Sequence, residues 1–470
     1  MTSTVAPTEA SAASVAWRLG ALYGPAVYGV SAASVAVPAA ADDLHTAPAT
    51  AVWILTIHAL GLGVGAAVAG RATDVWGPRR VLTLGAVLLA AGTMLCAVAT
   101  ALAVAVAGRA LLATGSGAMT ATALTLAAGR SSSQRPAVLA RLGAAMALFS
   151  ATAPLAGALA VTTSWKTALI LPALSLTAIP LCWPLAQSRP ALPARVDWAG
   201  AGLLVLTAAG LLLTIQSATL HFPPLPTLGL ITGTCALAIL LNRHRRRHPD
   251  GFIPAVTSQR RFLLAGLAGA GIYGGLFGCV FAVPQMLTHL GYTAQSIGLL
   301  LLPGAIVAAA AARLAGHATA DVTRRRVLAA TSALFSASLL LAAWSQQPVT
   351  LICAATAGFA AFAIAQTTLT PAVTAHIDRG QRGGALGPLN LMFFIGGALG
   401  AATCSALWQP WGLPAALATM AALPAISVVA ARAALREPQR ARWSGTSGGM
   451  RPRAGEAAGQ TGSTPFRNIL

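Results

Sequence analysis

Ionisable side chains are rare in the long apolar runs of this sequence, and two of them could carry charge or protons there. His58 lies near the middle of one run, and Arg109 lies early in another. Histidine is the side chain whose charge changes near neutral pH, which makes His58 a candidate proton carrier. Its alternative role is that of a hydrogen-bonded packing residue. Arg109 is a candidate for proton coupling or for binding an anionic group, since a cation inside an apolar run usually faces a cavity; the alternative is that it extends to the outer surface.

Acidic residues offer fewer candidates. The chain has 10 Asp and Glu in total, and none lies deep within an apolar run. Asp42 and Asp43 directly follow the first run, so they are the second choice as proton carriers. The alternative for this pair is a solvated loop.

The composition places these residues in a membrane protein. Of 470 residues, 56% are hydrophobic and only 9% are charged, whereas soluble domains average about 25% charged residues. The 30 Lys and Arg exceed the acids threefold, but they occur in bursts between apolar runs, as in cytoplasmic loops. We therefore expect the lipid bilayer, and no nucleic acid, as the partner of the basic residues.

The lengths of the apolar runs predict an all-α protein with fourteen transmembrane helices, because about 20 residues cross a bilayer core. If the N-terminus is cytoplasmic, every basic residue except Arg109 and Lys166 falls on the cytoplasmic side. This distribution follows the positive-inside rule and requires an even number of spans. The sequence thus predicts a multi-pass protein of the cytoplasmic membrane, the cell membrane, with both termini cytoplasmic.

An internal repeat indicates two related halves. Residues 69–82 and 315–328 share Ala-Gly, Ala-Thr and Arg-Arg-Val-Leu at identical spacing, and transporters are commonly built from such repeats. The predicted organisation is a cytoplasmic N-terminal tail (1–18), an N-terminal six-helix bundle (19–187), a linker with two inserted helices and a basic loop (188–261), a C-terminal six-helix bundle (262–431) and a disordered cytoplasmic tail (432–470).

The stretch from Gly70 to Arg80 resembles the signature loop of the major facilitator superfamily; the matching residues are Gly70, Asp74, Gly77, Arg79 and Arg80. Further segments, including Val35–Pro38 before Asp43 and Leu302–Gly304, are similar to the fourteen-spanner drug:proton antiporter group. The resemblance implies two six-helix bundles with an inserted helix pair. It also implies that Asp74 forms a charge latch that breaks when the inner gate opens. The alternative is that Arg79 and Arg80 only fix the orientation of the helices in the membrane.

The resemblance also suggests roles for a kink in span five, for Arg109 and for position 29. Pro154 and Gly157 resemble the span-five kink of the superfamily's exporters, although a kink without directional meaning is the alternative. Arg109 matches the family's span-four arginine, which is implicated in proton coupling. Gly29, however, occupies the position where the family's first span has an acid. The usual carboxylate mechanism is therefore in doubt, and His58 is the proposed substitute.

Polar and aromatic residues within the runs are candidates for lining a substrate cavity, which is expected to be mostly apolar with few hydrogen-bonding groups. For each of them, an interhelical hydrogen bond is the alternative role. These candidates are Tyr23, Tyr28, Trp53, Gln216, Gln285, Gln366 and Asn390.

Taken together, the resemblance implies a secondary active transporter that exports a small organic molecule, drug-like or antibiotic-like, by proton antiport with alternating access. Its expected partners are the small-molecule substrate and protons, and we expect a monomer with no cofactor, no metal and no enzymatic activity. An uptake symporter or uniporter is the first alternative. A membrane-embedded enzyme or receptor is a remote one, since the sequence has no catalytic cluster. The sequence does not identify the substrate.

Overall fold

The computed structural model describes residues 11–131, 133–186, 197–217, 222–248, 259–316, 321–374 and 382–433, and the regular structure in these ranges is helical. The elements in chain order are α1 (Ala12–Asp43), α2 (Pro48–Ala51), α3 (Trp53–Trp76), α4 (Pro78–Ala97), α5 (Leu102–Ala128), α6 (Arg135–Val161), α7 (Trp165–Ile170), the 3-10 helix η1 (Leu171–Leu174), α8 (Ser175–Cys182), α9 (Trp198–Gln216), α10 (Pro224–Arg247), α11 (Arg260–His289), α12 (Ala294–Leu301), α13 (Pro303–Gly316), α14 (Asp321–Ser345), α15 (Pro348–Thr374), α16 (Arg382–Met420) and α17 (Ala422–Ala433).

Helix boundaries follow from local chemistry. Helices α4 and α10 begin with proline, which lacks the N–H that a first turn leaves unbonded. Asp197 caps α9 by accepting a hydrogen bond from the Gly200 amide at 2.8 Å. Gly77 separates α3 from α4 with φ 83°, a left-handed conformation that favours glycine. The signature loop therefore makes a sharp turn between two long helices.

Thirteen helices within the described ranges are long and apolar enough to cross a membrane, which confirms a multi-pass membrane protein. The sequence predicts fourteen, and the difference lies in the last segment. Ala385–Ala433 has 49 residues and would extend roughly 74 Å as one helix, more than twice the core of a bilayer. Gly412 interrupts it with a non-helical φ of 78°.

Small residues allow the helices to approach closely. Helices α11 and α16 meet where Gly274 faces Gly400, and a side chain at Gly400 would overlap the Gly274 backbone. Helices α3 and α5 meet similarly, because a side chain at Gly117 would overlap backbone atoms of α3. Lipid gives little hydrophobic drive for helix association, so such close backbone contacts hold the bundle together.

The pair α9 and α10, which the sequence predicts as inserted, packs at the edge of the other helices. Helix α10 buries none of its residues, whereas α9 buries Ala201 against Ala67 of α3 and Leu391 of α16. At the basic end of the pair, His244 Nε2 lies 2.8 Å from Asp197 Oδ2. The pair is thus attached to the rest of the protein through α9.

Candidate functional site

Arg109 connects three helices through its guanidinium group. The side chain is fully buried in α5. Its Nε donates to the Ile54 carbonyl of α3 at 3.2 Å, and Nη1 donates to the Leu169 carbonyl of α7 at 2.8 Å. Nη2 donates to the Gly29 carbonyl of α1. The Leu169 carbonyl lies at the change from α-helix to 3-10 helix, where the regular bonding pattern shifts. Arg109 therefore does not extend to the outer surface.

His58 lies beside this arginine. It is fully buried in α3, one turn beyond Ile54. Neither ring nitrogen makes a hydrogen bond of regular geometry, but the ring lies against the backbone of Ala26 in α1, which is within reach as a hydrogen-bond partner. A Cβ atom built on Gly29 would overlap the imidazole ring. The ring of His58 therefore occupies the space that a side chain at position 29 would need, at the place where the family has an acid. Both roles predicted for His58, proton carrier and hydrogen-bonded packing residue, are compatible with this position.

The three residues form one cluster, which we call the His58–Arg109 cluster (Gly29, His58 and Arg109). An imidazole can take up a proton and release it again, and this one lies beside a buried arginine. The cluster therefore brings a titratable group and a cation together against α1.

A small cavity of about 10 Å³, room for roughly one water molecule, lies between helices of the two halves. Tyr23, Ala26, Val27, Val30 and Ser31 of α1 form one wall, and the remaining lining residues are Leu62, Ser150, Leu276, Phe277, Phe362 and Phe394. Small-molecule sites have volumes of about 300 to 1,000 Å³, so in this conformation the cavity is too small for an organic molecule. Helices α1 and α3, which carry Gly29 and His58, thus also line this cavity.

Three buried polar side chains meet at the edge of this cavity. Gln366 Nε2 donates to the hydroxyl of Tyr23 at 3.4 Å and to the hydroxyl of Tyr273. Gln366 Oε1 accepts a hydrogen bond from Thr370 at 3.3 Å. Two of the predicted cavity residues, Tyr23 and Gln366, therefore come together, and only the first of them lines the cavity.

The other predicted cavity residues lie elsewhere or bond other helices. The hydroxyl of Tyr28 lies 3.1 Å from that of Thr152, and Gln216 Nε2 donates to Thr56 Oγ1 at 3.0 Å. Asn390 Nδ2 donates to the Leu386 carbonyl at 3.0 Å within its own helix. Trp53 Nε1 and Gln285 Nε2 are buried without a partner, but neither residue lines the cavity. For Tyr28 and Gln216 the structure shows the alternative role, a bond between helices.

The signature loop lies at the basic end of α3 and α4. Gly70 is buried and Asp74 occupies the last turn of α3. The Arg79 guanidinium lies 5.4 Å from the centre of the Trp183 ring, while Arg80 is exposed. Trp76 stacks 5.5 Å from Trp198 at the start of α9. The loop thus contacts α9 as well as the residues following α8.

Asp42 and Asp43 end α1 and are exposed. The indole Nε1 of Trp165 donates to Asp43 Oδ2 at 2.8 Å. Measured along α1, the two acids lie about 20 Å from Gly29. They are therefore separate from the His58–Arg109 cluster.

Pro154 and Gly157 are buried in α6. A side chain at Gly157 would overlap the backbone of Ala32 in α1. Pro154 packs on the other half, since its carbonyl oxygen lies 3.2 Å from the position of a Cβ atom built on Gly298 of α12. The span-five kink therefore lies in the contact between the halves.

Sequence reasoning missed Tyr273 and the aromatic rings around it. The ring of Tyr273 packs 4.8 Å from Phe362, 5.2 Å from Phe393 and 5.4 Å from Phe394, measured between centroids. These residues belong to α11, α15 and α16, so no local pattern joins them. The one available signal was that Tyr273 is a phenol within a Gly-rich apolar run.

The fold and this arrangement define a class of protein: a polytopic helical membrane protein with a small cavity between packed halves, as in transporters. The family description "Major Facilitator Superfamily" matches residues 19–317 and 262–467. The matched regions cover most of the sequence. The chain belongs to the major facilitator superfamily.

Two individual proteins show the extent of the similarity. The chain is 24% identical over 396 residues to the uncharacterized MFS-type transporter Rv1250 of Mycobacterium tuberculosis (strain ATCC 25618 / H37Rv), covering 79% of this chain and 66% of that protein. It thus spans just under two thirds of the length of this relative. The crystal structure of the human organic anion transporter MFSD10 (TETRAN) has a TM-score of 0.62, with 16% identity, 90% of this chain covered and 100% of that chain. At this identity, the match shows the fold alone.

Proposed function

We propose that this protein exports a small organic molecule across the cell membrane in exchange for protons. The observation that carries the proposal is the His58–Arg109 cluster, a buried imidazole beside a buried cation, both in contact with the helix that forms one wall of the cavity. An ionisable group within the membrane is by default a hypothesis of function. A cluster packed against α1 can transmit its charge state to the cavity.

The coupling step follows from electrostatics. A proton on His58 places a second positive charge beside Arg109, and the described acids all lie at helix ends, where they cannot offset it: Asp42, Asp43, Asp74, Asp197 and Asp321. The repulsion is strong because the surroundings have a low dielectric constant. Moving Arg109 away from the Gly29 carbonyl relieves it, and this carbonyl belongs to α1. Proton uptake would therefore shift α1 and reshape the cavity.

Alternating access requires two contacts between the halves that open in turn. Two tight contacts are available. At one, the position of a Cβ atom on Gly387 of α16 lies 2.8 Å from Ala67 Cα of α3. At the other, the equivalent position on Gly298 of α12 lies 2.9 Å from Leu155 Cα of α6. The first lies toward the end that bears the basic loops, and the second lies toward the opposite end.

Topology is part of the proposal. Dividing the last 49-residue segment at Gly412 gives fourteen crossings, which places both termini on the cytoplasmic side together with the basic loops. The halves are then two six-helix bundles, with α9 and α10 as the inserted pair. A latch at Asp74 would act at the cytoplasmic end of the first bundle.

Export is favoured by Pro154, because its kink lies at the contact between α6 and α12. Uptake by a symporter or uniporter is the second candidate, and Gly29 favours it, since the acid that antiporters of this group use is replaced. Monomeric function fits both candidates, because each single chain carries a complete cavity. The direction of transport separates them.

The test is the accumulation of dyes in cells that express the protein, with a panel that includes uncharged Nile red and cationic ethidium. We expect expression to lower the accumulation of at least one dye, a protonophore to abolish the effect, and His58→Gln to do the same. His289→Gln is the matched control, because His289 is exposed at the end of α11. Higher accumulation on expression would reject export in favour of uptake. Full, protonophore-sensitive activity of His58→Gln would reject the histidine as proton carrier.

A further inference from the structure

The cavity is uncharged on all sides that the structure describes. Its lining contains apolar and aromatic side chains, and the polar groups are the hydroxyls of Tyr23, Ser31 and Ser150. The cation of Arg109 does not line the cavity and is bound to three carbonyls. A charged ligand in this cavity would lose its hydration without gaining a counter-ion, and this is costly in a low-dielectric interior. The cavity therefore selects against net charge.

The aromatic rings do not reverse this selection. Phe277, Phe362 and Phe394 face the cavity, and aromatic faces attract cations with a gain of about tenfold in affinity. The cost of a bare charge within the membrane is larger, about a hundredfold in affinity. The same rings pack without penalty on a flat, uncharged aromatic ligand. The lining thus favours a neutral aromatic molecule.

Tyr23 adds a requirement for polarity. Its hydroxyl accepts a hydrogen bond from Gln366, and among the described residues it donates to none. The hydroxyl can rotate its proton toward a ligand, and a buried donor is expected to have an acceptor. A carbonyl or ether oxygen of a ligand can fill this role. Ser31 and Ser150 provide further polar points on the wall.

We propose that the substrate is an uncharged aromatic molecule with an acceptor oxygen, such as an aryl ketone, which binds to the Tyr23 hydroxyl and the phenylalanine rings when the halves move apart and widen the cavity, and that organic cations are excluded. This rests on the proposed function only in assuming that the cavity is the substrate site. It separates this chain from transporters that place a carboxylate in the first span, since position 29 is glycine and His58 fills its space.

The test uses three photoreactive probes that share one chromophore and differ in charge: benzophenone, 4-benzoylbenzyl-trimethylammonium and 4-benzoylbenzoate. Purified full-length protein is irradiated with each probe at a series of concentrations, and labelled peptides are identified by mass spectrometry. We expect benzophenone to label residues of the cavity wall saturably. The cationic and anionic probes should label the same peptides with at least about tenfold lower affinity.

Two variants test the individual steps. Tyr23→Phe removes one hydroxyl and keeps the ring, so benzophenone should bind about tenfold more weakly. Tyr292→Phe, the same change outside the cavity lining, should leave labelling unchanged. Ser31→Asp adds a carboxylate to the wall and should bring labelling by the cationic probe to at least the level of benzophenone.

Three results would overturn the proposal: equal labelling of the wild-type cavity by the cation and the ketone, no saturable labelling of the cavity by the ketone, or unchanged affinity in Tyr23→Phe. The affinity of Tyr23→Phe for benzophenone still tests the proposal if Ser31→Asp does not fold. Labelling of purified protein needs no ion gradient, whereas the proposed function fails through absent or protonophore-insensitive transport. The two failures are therefore distinguishable.

Discussion

Replacing Arg109 with methionine separates a structural role from a functional one. The change keeps an unbranched side chain of similar length and removes three hydrogen bonds to α1, α3 and α7. Interhelical hydrogen bonds in membrane proteins contribute about 0.6 kcal/mol on average and up to about 1.7 each, so three contribute roughly 2 to 5 kcal/mol. Removing the cation also relieves an insertion cost of about 2.5 to 3.5 kcal/mol.

These two effects nearly cancel, so we expect Arg109→Met to change the free energy of unfolding by only about 2 kcal/mol in either direction. The unfolding temperature should shift by a few degrees. Transport should nevertheless be lost, because a proton on His58 would no longer meet a second positive charge. An arginine whose stabilising and destabilising terms cancel is retained for function.

The assay compares thermal unfolding of the purified variant with protonophore-sensitive extrusion of a dye that the wild type expels. Arg18→Met is the control, because Arg18 lies near the start of α1 and is partly exposed. The reasoning is refuted if Arg109→Met lowers the unfolding temperature severely while transport per folded molecule stays at the wild-type level. Arg109 would then have only a structural role, connecting three helices.

Further predictions follow from close contacts and backbone conformation. Gly29→Asp should give little folded protein, because its side chain would overlap the imidazole, and adding His58→Ala should restore the yield in a detergent-extraction assay. Gly387→Val should stop dye extrusion with near-normal expression, since it wedges α3 from α16; normal extrusion would show that this contact does not open. Gly412→Ala should lower thermal stability by about 1 to 2 kcal/mol because of its positive φ, whereas Gly229→Ala, in open space, should not.

Much of the fold could be predicted from the sequence because membrane insertion depends on local quantities. Hydrophobic runs of about 20 residues and the placement of basic residues are read within a short window, and the family match agrees with the resemblance seen at Gly70–Arg80. The sequence also predicts an outer loop at Trp408–Trp411, directly before the Gly412 that interrupts the last helical segment. His58 and Arg109 stood out as lone ionisable groups in apolar runs.

Only the tertiary structure decided what these groups contact. Whether a polar side chain faces a cavity or a neighbouring helix depends on the rotation of each helix in the packed bundle, which hydropathy does not encode. Tyr28 and Gln216 were indistinguishable from Tyr23 and Gln366 by sequence, yet the former pair bonds other helices. Tyr23 meets Gln366 across 343 positions of the chain. Likewise, the sequence showed an acid missing at Gly29, and helix packing showed that the ring of His58 fills its space.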